Sequence, residues 1–245
     1  MHKRSRLIVL GVVTFVVGVV LFFPARVAYR WFAPEEIKVS GISGSVWQGS
    51  ASEALVSGVY LRDLDWRIHP LSLISGKLSY AIESQLASGF LEGDIGVSIM
   101  GKIVGSDINA ALPLQAMQSA LGVPGLQGSL SAEISDLEID NGLPVAMDGV
   151  VNVSRLIVPL VQRESLGGFK AEFMTQDSGI VASVEDTDAV VDIAGSLQVG
   201  SDRSYQFIAQ LSPKENTPAP VREQMKFLGS ANERGQHELR LEGQL

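Results

Sequence analysis

The chain has 245 residues, a net charge of −8, a hydrophobic fraction of 46% and no cysteine. Without cysteine, a disulfide scaffold, a zinc–cysteine site, an iron–sulfur cluster and a thiol nucleophile are excluded. The mean hydropathy of +0.22 is nevertheless high for an acidic protein.

Charge is unevenly distributed along the chain. Residues 1–30 contain five basic residues and no acidic one. Removing these five from the 19 basic residues leaves 14 against 27 acidic ones, so the other 215 residues carry a charge of −13. Because nucleic acid is bound through clustered Lys and Arg, this acidic body predicts no nucleic-acid partner.

The basic N-terminus surrounds an uncharged apolar run of 17 residues, 7–23. As a helix the run would extend about 26 Å, just enough to cross a thin hydrocarbon core. A cleaved signal peptide and a retained membrane anchor are the two interpretations. Cleavage needs small residues at positions −3 and −1 after the run, and residues 24–32 offer no suitable pair. We therefore expect a retained anchor.

The residues after the run support the anchor. Tyr29, Trp31 and Phe32 are typical of an interfacial aromatic belt, and Arg26 and Arg30 have side chains able to snorkel. We expect a cytoplasmic tail, a transmembrane helix, a juxtamembrane segment and an exported body, at 1–6, 7–23, 24–36 and 37–245.

From residue 37 onward, apolar and polar residues alternate with a period of two. This pattern predicts a mainly β body, an antiparallel sheet with one buried and one wet face, in meander order. The alternation slips near Asp63. Strands are predicted at 37–40, 59–68, 78–86, 93–100, 108–112, 129–139, 146–153, 169–174, 190–199, 205–211 and 238–241.

Two short segments have a helical pattern instead, at 113–121 and 220–228. Each has Pro near its start and Gly after its end, which is the usual helix punctuation. Each follows one strand and precedes another, so we expect an internal repeat at about 37–139 and 140–245.

The stretch around Trp47 is the most distinctive in the chain. Gly44 and Gly49 bracket this tryptophan without any charged residue between them. It is either a partner-docking tip or a structural element in which glycine allows close backbone approach and Trp47 fills the core. The second interpretation is favoured. A second motif follows, in which a strand through Trp66 ends at Pro70 and Gly76 opens the next strand.

These motifs resemble the type II secretion system protein N family. The resemblance also includes Phe227-Leu228-Gly229 and a terminal Leu239-x-Leu241-x-Gly243, so it runs over nearly the whole chain. The motif residues, which we expect to be structural, are Gly44, Trp47, Gly49, Trp66, Pro70, Gly76, Gly229 and Gly243.

The resemblance implies a single-pass inner-membrane protein of a Gram-negative bacterium with a cytoplasmic N-terminus and a periplasmic body. The body would assist export of folded proteins across the outer membrane by contacting other type II secretion components. The resemblance further implies a curved, open antiparallel sheet with two short helices, as in AsmA-like envelope proteins. It implies no catalytic residues, cofactor or small-molecule substrate.

Residues that could support catalysis do not form a recognisable motif. His2, His69 and His237 lack the spacing of paired metal ligands, and the chain has no nucleophile elbow, phosphate loop or dinucleotide fingerprint. The acidic cluster at 185–188 lacks the EF-hand pattern and is predicted to be a turn. We therefore predict no enzyme activity, no metal and no cofactor.

Three classes of function remain at this point. The favoured one is a non-enzymatic component of the type II secretion system that acts by protein–protein contacts, with an open sheet edge as a docking surface. The alternative is an AsmA-like lipid-handling or envelope-scaffold protein. An anchored periplasmic enzyme is disfavoured by the missing motifs.

Overall fold

A computed structural model describes residues 2–33, 37–56, 58–86, 88–98 and 100–244, and within them all side chains except those of 2–9, 73–75 and 119–120. Over these residues the chain forms four α-helices and one 14-stranded antiparallel sheet. The helices are α1 (His2–Leu21), α2 (Ala25–Phe32), α3 (Gln118–Leu121) and α4 (Ala219–Met225). The strands are β1 (Ile37–Ser40), β2 (Ser43–Gly44), β3 (Gln48–Val56), β4 (Val59–Ile68), β5 (Lys77–Leu86), β6 (Gly89–Ser98), β7 (Ile103–Pro113), β8 (Gln127–Asp140), β9 (Leu143–Ile157), β10 (Gly167–Gln176), β11 (Gly179–Asp186), β12 (Val191–Gly200), β13 (Ser204–Pro213) and β14 (His237–Gln244).

The sheet is a meander in which each strand from β3 to β14 pairs with its neighbours in sequence. Both β1 and β2 pair with β3, β1 with residues 53–56 and β2 with residues 49–50, so together they form one interrupted edge strand. The opposite edge is β14, whose partner among the described residues is β13. The predicted open antiparallel sheet is confirmed.

Register shifts run across the sheet at matching positions. An extra residue is inserted near Asp63 in β4, in β7 opposite Gly93 and in β8 opposite Gly149, and these three named residues have positive φ. The slip expected near Asp63 is therefore confirmed. Such bulges bend strands and increase their twist. The 3-10 turn Leu114–Met117 contacts β4, although β5 and β6 lie between β4 and β7, so the sheet curves.

The two faces of the sheet differ in polarity. Directly opposite residues on antiparallel strands share a face. One row across β6–β9 is polar and defines the polar face: Asp94, Ser106, Asp136 and Asp148. The adjacent row is uncharged and defines the apolar face: Ile95, Gly105, Leu137 and Met147.

Two small cores lie at opposite ends of the sheet. At the β1 end, α2 contributes Ala25 to a core with Ile42 and Ala51. At the β14 end, α4 contributes Val221 and Met225, which are 6% and 4% exposed. Short helices thus cover the ends of a sheet that has no second layer in the described residues.

Both predicted helical segments are confirmed, but a third short helix was missed. The first segment forms the 3-10 turn Leu114–Met117 and α3, and the second forms α4 followed by a 3-10 turn at Lys226–Leu228. The expectation of two short helices is wrong because α2 occupies most of the segment predicted as juxtamembrane. The α2 sequence directly follows the apolar run, so its helical pattern cannot be distinguished from that of the run. Residues 34–36 of the predicted juxtamembrane segment lie outside the described residues.

The N-terminal segments have different boundaries from those expected. Helix α1 begins at His2, so the basic residues predicted as a tail form its first turns. Across the described residues, no helix has both the length and the apolar character needed to cross a membrane. The predicted transmembrane run, 7–23, includes side chains at 7–9 that lie outside the described set.

Candidate functional site

The Gly44–Gly49 motif forms a tight hairpin between β2 and β3. Gly44 lies opposite Gly49, and the Ser45 N–H donates to Gln48 O at 2.9 Å. Gly44 has φ +83°, and a Cβ placed on it would lie 2.6 Å from Gln48 O. Glycine is therefore required at Gly44 by both its backbone angle and its surroundings.

The second motif tryptophan packs onto this hairpin from β4. Trp66 is directly opposite Gly49, where a Cβ would come within 2.5 Å of the Trp66 ring. The Trp66 Nε1–H donates to Ser45 O at 3.1 Å. The absent side chain of Gly49 thus makes room for an indole that holds the hairpin turn.

Trp47 connects the hairpin to α1. Its Nε1–H donates to Val20 O at 2.6 Å, in the last turn of α1, where carbonyl groups lack partners within the helix. Beside it, the Val46 N–H donates to Phe23 O at 2.9 Å. Trp47 is only half-buried, so the predicted core-filling role is not what the structure shows. Its indole fastens α1 to the sheet.

Helix α2 covers the β1–β2 edge of the sheet. The Tyr29 hydroxyl donates to Ile37 O and accepts from the Val39 N–H, both at 3.0 Å. The Arg26 Nε–H donates to Ile42 O. Tyr29 and Arg26 therefore satisfy backbone groups of this edge, a role that the sequence does not predict; their placement in an aromatic belt and in snorkelling stays a prediction.

Aromatic side chains remain exposed where α1 meets α2. The Phe23 and Trp31 ring centroids lie 6.1 Å apart, and those of Trp31 and Phe32 lie 6.4 Å apart. Trp31 is 66% exposed and Phe32 77% exposed. These two members of the predicted belt thus remain accessible at the surface.

An apolar cavity of 310 Å³ lies between α2 and the apolar face. Tyr80, which lies opposite Ile95, lines its far side, and burial raises the pKa of this tyrosine. The other lining residues are Ala25, Ala28, Val46, Leu64, Trp66 and Ile82.

Pro70 and Gly76 bound the connection between β4 and β5. Pro70 begins a 3-10 turn that ends at Ser75, and Gly76, at φ +71°, precedes β5. His69, just before this turn, pairs its Nε2 with Asp94 Oδ1 at 2.8 Å on the polar face. Six motif residues therefore lie on or directly after the β2–β4 segment.

The last two motif residues lie at the opposite end of the sheet. Gly229 has φ +100° and ends the 3-10 turn after α4, and its carbonyl bonds with His237 Nδ1 at 2.9 Å. Gly243 in β14 lies under the Tyr205 ring, which a Cβ would approach to 2.9 Å. The eight motif residues thus form two groups rather than one site.

The acidic cluster at 185–188 is structural. Glu185 and Asp186 end β11, so the predicted turn holds only for the later residues. Asp186 pairs with the Lys214 ammonium and accepts from the Ile193 N–H at 2.9 Å. Burial would raise the pKa of Asp186, but these two hydrogen bonds outweigh it and hold the pKa below its usual range. No group of three or more potential metal ligands occurs among the described side chains.

Comparison with known proteins identifies the family. Residues 35–240 match the family model described as type II secretion system (T2SS), protein N. The chain belongs to the type II secretion system protein N family. The match begins just before β1 and ends within β14, so it covers the sheet up to residue 240 and lies outside α1 and α2.

Curated relatives extend the likeness beyond the sheet. A type II secretion system protein N of Vibrio cholerae is 26% identical over 237 residues, 93% of each chain. The type II secretion system protein N of Aeromonas hydrophila is 23% identical over 256 aligned positions that cover both chains fully. That of Pectobacterium carotovorum is 24% identical over 243 positions, which cover 91% of this chain and 90% of the relative. No solved structure matches. The family resemblance seen in the motifs is confirmed, and the chain is a type II secretion component.

Sequence reasoning about this chain missed the role of α2. The hydrogen bonds of Tyr29 and Arg26 reach backbone atoms 8 to 16 residues away, and no local sequence pattern predicts them. Pro24, which lies between α1 and α2, forms a β-bridge with Ser45 of the hairpin, and the sequence does not predict this bridge either. The motif glycines predict close backbone approach at the position of the hairpin, but they do not predict the contact between the hairpin and α1.

Proposed function

We propose that this chain is a non-enzymatic, inner-membrane component of the type II secretion system that acts through protein–protein contacts. The observation that carries the proposal is the continuous match of the sheet to the protein N family. The chain assists export of folded proteins across the outer membrane by presenting its sheet to other components of the machine.

Membrane attachment through residues 7–23 is part of this proposal. The run is uncharged, and most of the large side chains of its described part are exposed, including Phe15 at 71% and Phe22 at 79%. Such a contiguous apolar surface is unfavourable in water and favourable in lipid. The exposed Trp31 and Phe32 then lie at the lipid–water interface, and the acidic body lies in the periplasm.

The function is tested by secretion. In a host lacking the gene, an enzyme normally exported by the type II pathway should accumulate in the periplasm, and the full chain should restore its release. Unchanged release in the deletion strain would contradict the proposal.

The topology is tested by cysteine labelling. Because the chain has no cysteine, a single Met174→Cys in β10 reports only its own position. A membrane-impermeant maleimide applied to spheroplasts should label Met174→Cys, whereas Ser5→Cys should be labelled only after lysis. Labelling of Ser5→Cys alone in intact spheroplasts would overturn the periplasmic assignment.

The alternative function, shielding of acyl chains, stays a prediction. The apolar cavity beneath α2 favours it, because seven apolar or aromatic side chains line a volume of 310 Å³ there. Phospholipid copurifying with the full chain, measured by mass spectrometry and reduced by Ala28→Trp, would support it.

A further inference from the structure

The two edges of the sheet are treated differently. At the first edge, α2 side chains bond Val39 N, Ile37 O and Ile42 O, and the chain at Phe23 and Pro24 pairs with the hairpin turn. At the last edge, no described residue pairs with the outer side of β14. One edge is thus covered by the chain itself, and the other is open.

Apart from its charged side chains, strand β14 lacks the usual protections of an open edge. It is eight residues long, contains no proline and has no register shift against β13. Natural edge strands usually are short, or contain proline, a bulge or charged side chains, and these features prevent the addition of another strand. An uninterrupted edge of this length is therefore competent to pair with another strand.

The charges of β14 alternate in sign along one face. Glu238, Arg240 and Glu242 occupy alternate positions, and the last two are paired within the strand at 3.4 Å. The opposite face carries Leu239, Leu241 and Gly243, which lie against Ala209, Phe207 and Tyr205 of β13. Leu241 is 50% exposed even though it belongs to the apolar side.

We propose that β14 pairs antiparallel with β14 of a second copy of this chain, about a two-fold axis at Leu241. In this register Arg240 of each copy faces Glu242 of the other, and the two Leu241 side chains meet. Leu239 faces Gly243, and Glu238 faces Gln244. Both ion pairs are repeated by the symmetry, as an isologous interface requires.

Other registers are less favourable. A two-fold axis at Arg240 would oppose the two arginines, and an axis at Glu242 would oppose the two glutamates, both unfavourable across strands. An axis at Leu239 would extend the pairing beyond His237, where β14 begins. Registers shifted by one residue would join the polar side of one copy to the apolar side of the other. The axis at Leu241 pairs residues 238–244 without a like-charge contact.

The absence of cysteine allows a direct test. The full chain carrying Leu241→Cys, oxidised in its membrane, should form a disulfide-linked dimer, since the two residues would be directly opposite. Met174→Cys is the matched control, because Met174 is 56% exposed on a strand in the middle of the sheet. Equal cross-linking of the two variants would overturn the proposal.

A charge exchange tests the register. Added to Leu241→Cys, Arg240→Glu places two pairs of glutamates across the interface and should lower the dimer yield by roughly fivefold. The double change Arg240→Glu with Glu242→Arg keeps every pair opposite in sign and should restore the yield. A dimer yield that Arg240→Glu does not change, or that the exchange does not restore, would contradict the self-pairing. A disulfide between Leu241→Cys and a different protein would also overturn it and would assign the edge to that partner.

Discussion

Gly44 is the residue of the hairpin at which a positive φ coincides with close backbone contacts. It combines a φ of +83° with a backbone carbonyl and the Gly49 Cα within 2.7 Å of the position that a Cβ would occupy. Two separate costs, left-handed strain and collision with backbone, therefore oppose any side chain there.

Replacing Gly44 should cost more than replacing a glycine with the same φ in open space. Gly44→Ala should lower the free energy of unfolding by about 2–3 kcal/mol, whereas Gly142→Ala should cost about 1 kcal/mol. Gly142 is the matched control because its φ is +80° and no atom lies within 4 Å of its Cβ position. Urea unfolding of the full chain in detergent measures both. Equal losses would show that close approach at Gly44 is unimportant.

Asp186 gives the β14 end of the sheet a dependence on pH. Its pKa is held below the usual value, so the charged form is favoured by folding, and this stabilisation is complete above the unfolded pKa of about 3.9. It is lost as pH falls through the lower, folded pKa. The contribution is therefore constant near neutral pH and disappears only in acid.

Asp186→Asn should lower the free energy of unfolding at pH 7 by about 1–3 kcal/mol, because the Lys214 ammonium loses its ionised partner. The loss should shrink as pH is lowered through 4. Glu223→Gln, which breaks an exposed ion pair with Lys226, is the control and should have almost no effect. A loss that does not vary between pH 7 and pH 3 would contradict the role of the Asp186 charge.

At the scale of elements, an indole hydrogen bond is one of the contacts that join the end of α1 to the β2–β3 hairpin. Trp47→Phe keeps an aromatic ring but removes the donor to Val20 O. A hydrogen bond of this kind contributes about 1 kcal/mol, so local opening should rise about fivefold.

Limited trypsin digestion measures that opening, since Arg26 and Arg30 lie in α2. Cleavage at these residues should be about fivefold faster in Trp47→Phe and unchanged in Trp31→Phe, where the replaced indole is exposed. If both variants are cleaved at the same rate, Trp47 does not fasten the helix.

Several strands with clear alternation could be predicted from the sequence, whereas β3 and β11 were missed. The bounds of β1 and β4 were predicted in full, including the slip near Asp63, because alternation and its interruption are local signals. Strand β3 was missed because Gln48–Val56 is rich in Gly, Ser, Ala and Glu, which have low strand propensity. Its pairing with β4 on one side and β1–β2 on the other overrides that propensity.

Only the glycine contacts of the candidate site could be predicted from the sequence. The glycines and tryptophans indicate a close backbone approach, which the structure places between Gly44 and Gly49. The partners of Trp47, Tyr29 and Arg26 are backbone atoms brought near by the bend between α1 and α2. No spacing in the sequence specifies that bend, so these contacts required the structure.

At the scale of the whole molecule, an open curved sheet is fastened to an N-terminal helix at one edge, and at the other edge no described residue pairs with the outer side of β14. The division of the body into repeats at about 37–139 and 140–245 stays a prediction; the boundary falls in the turn of the β8–β9 hairpin, whose strands have 14 and 15 residues.

The central claim is that the sheet serves secretion while attached through α1. The most direct measurement is the amount of a type II-secreted enzyme in the medium of a deletion strain. The strain expresses either the full chain or residues 24–245, which keep α2 and are exported by a cleaved signal, at equal periplasmic levels of the sheet. We predict that the full chain restores release and the unattached sheet does not. Full restoration by the unattached sheet would contradict the account.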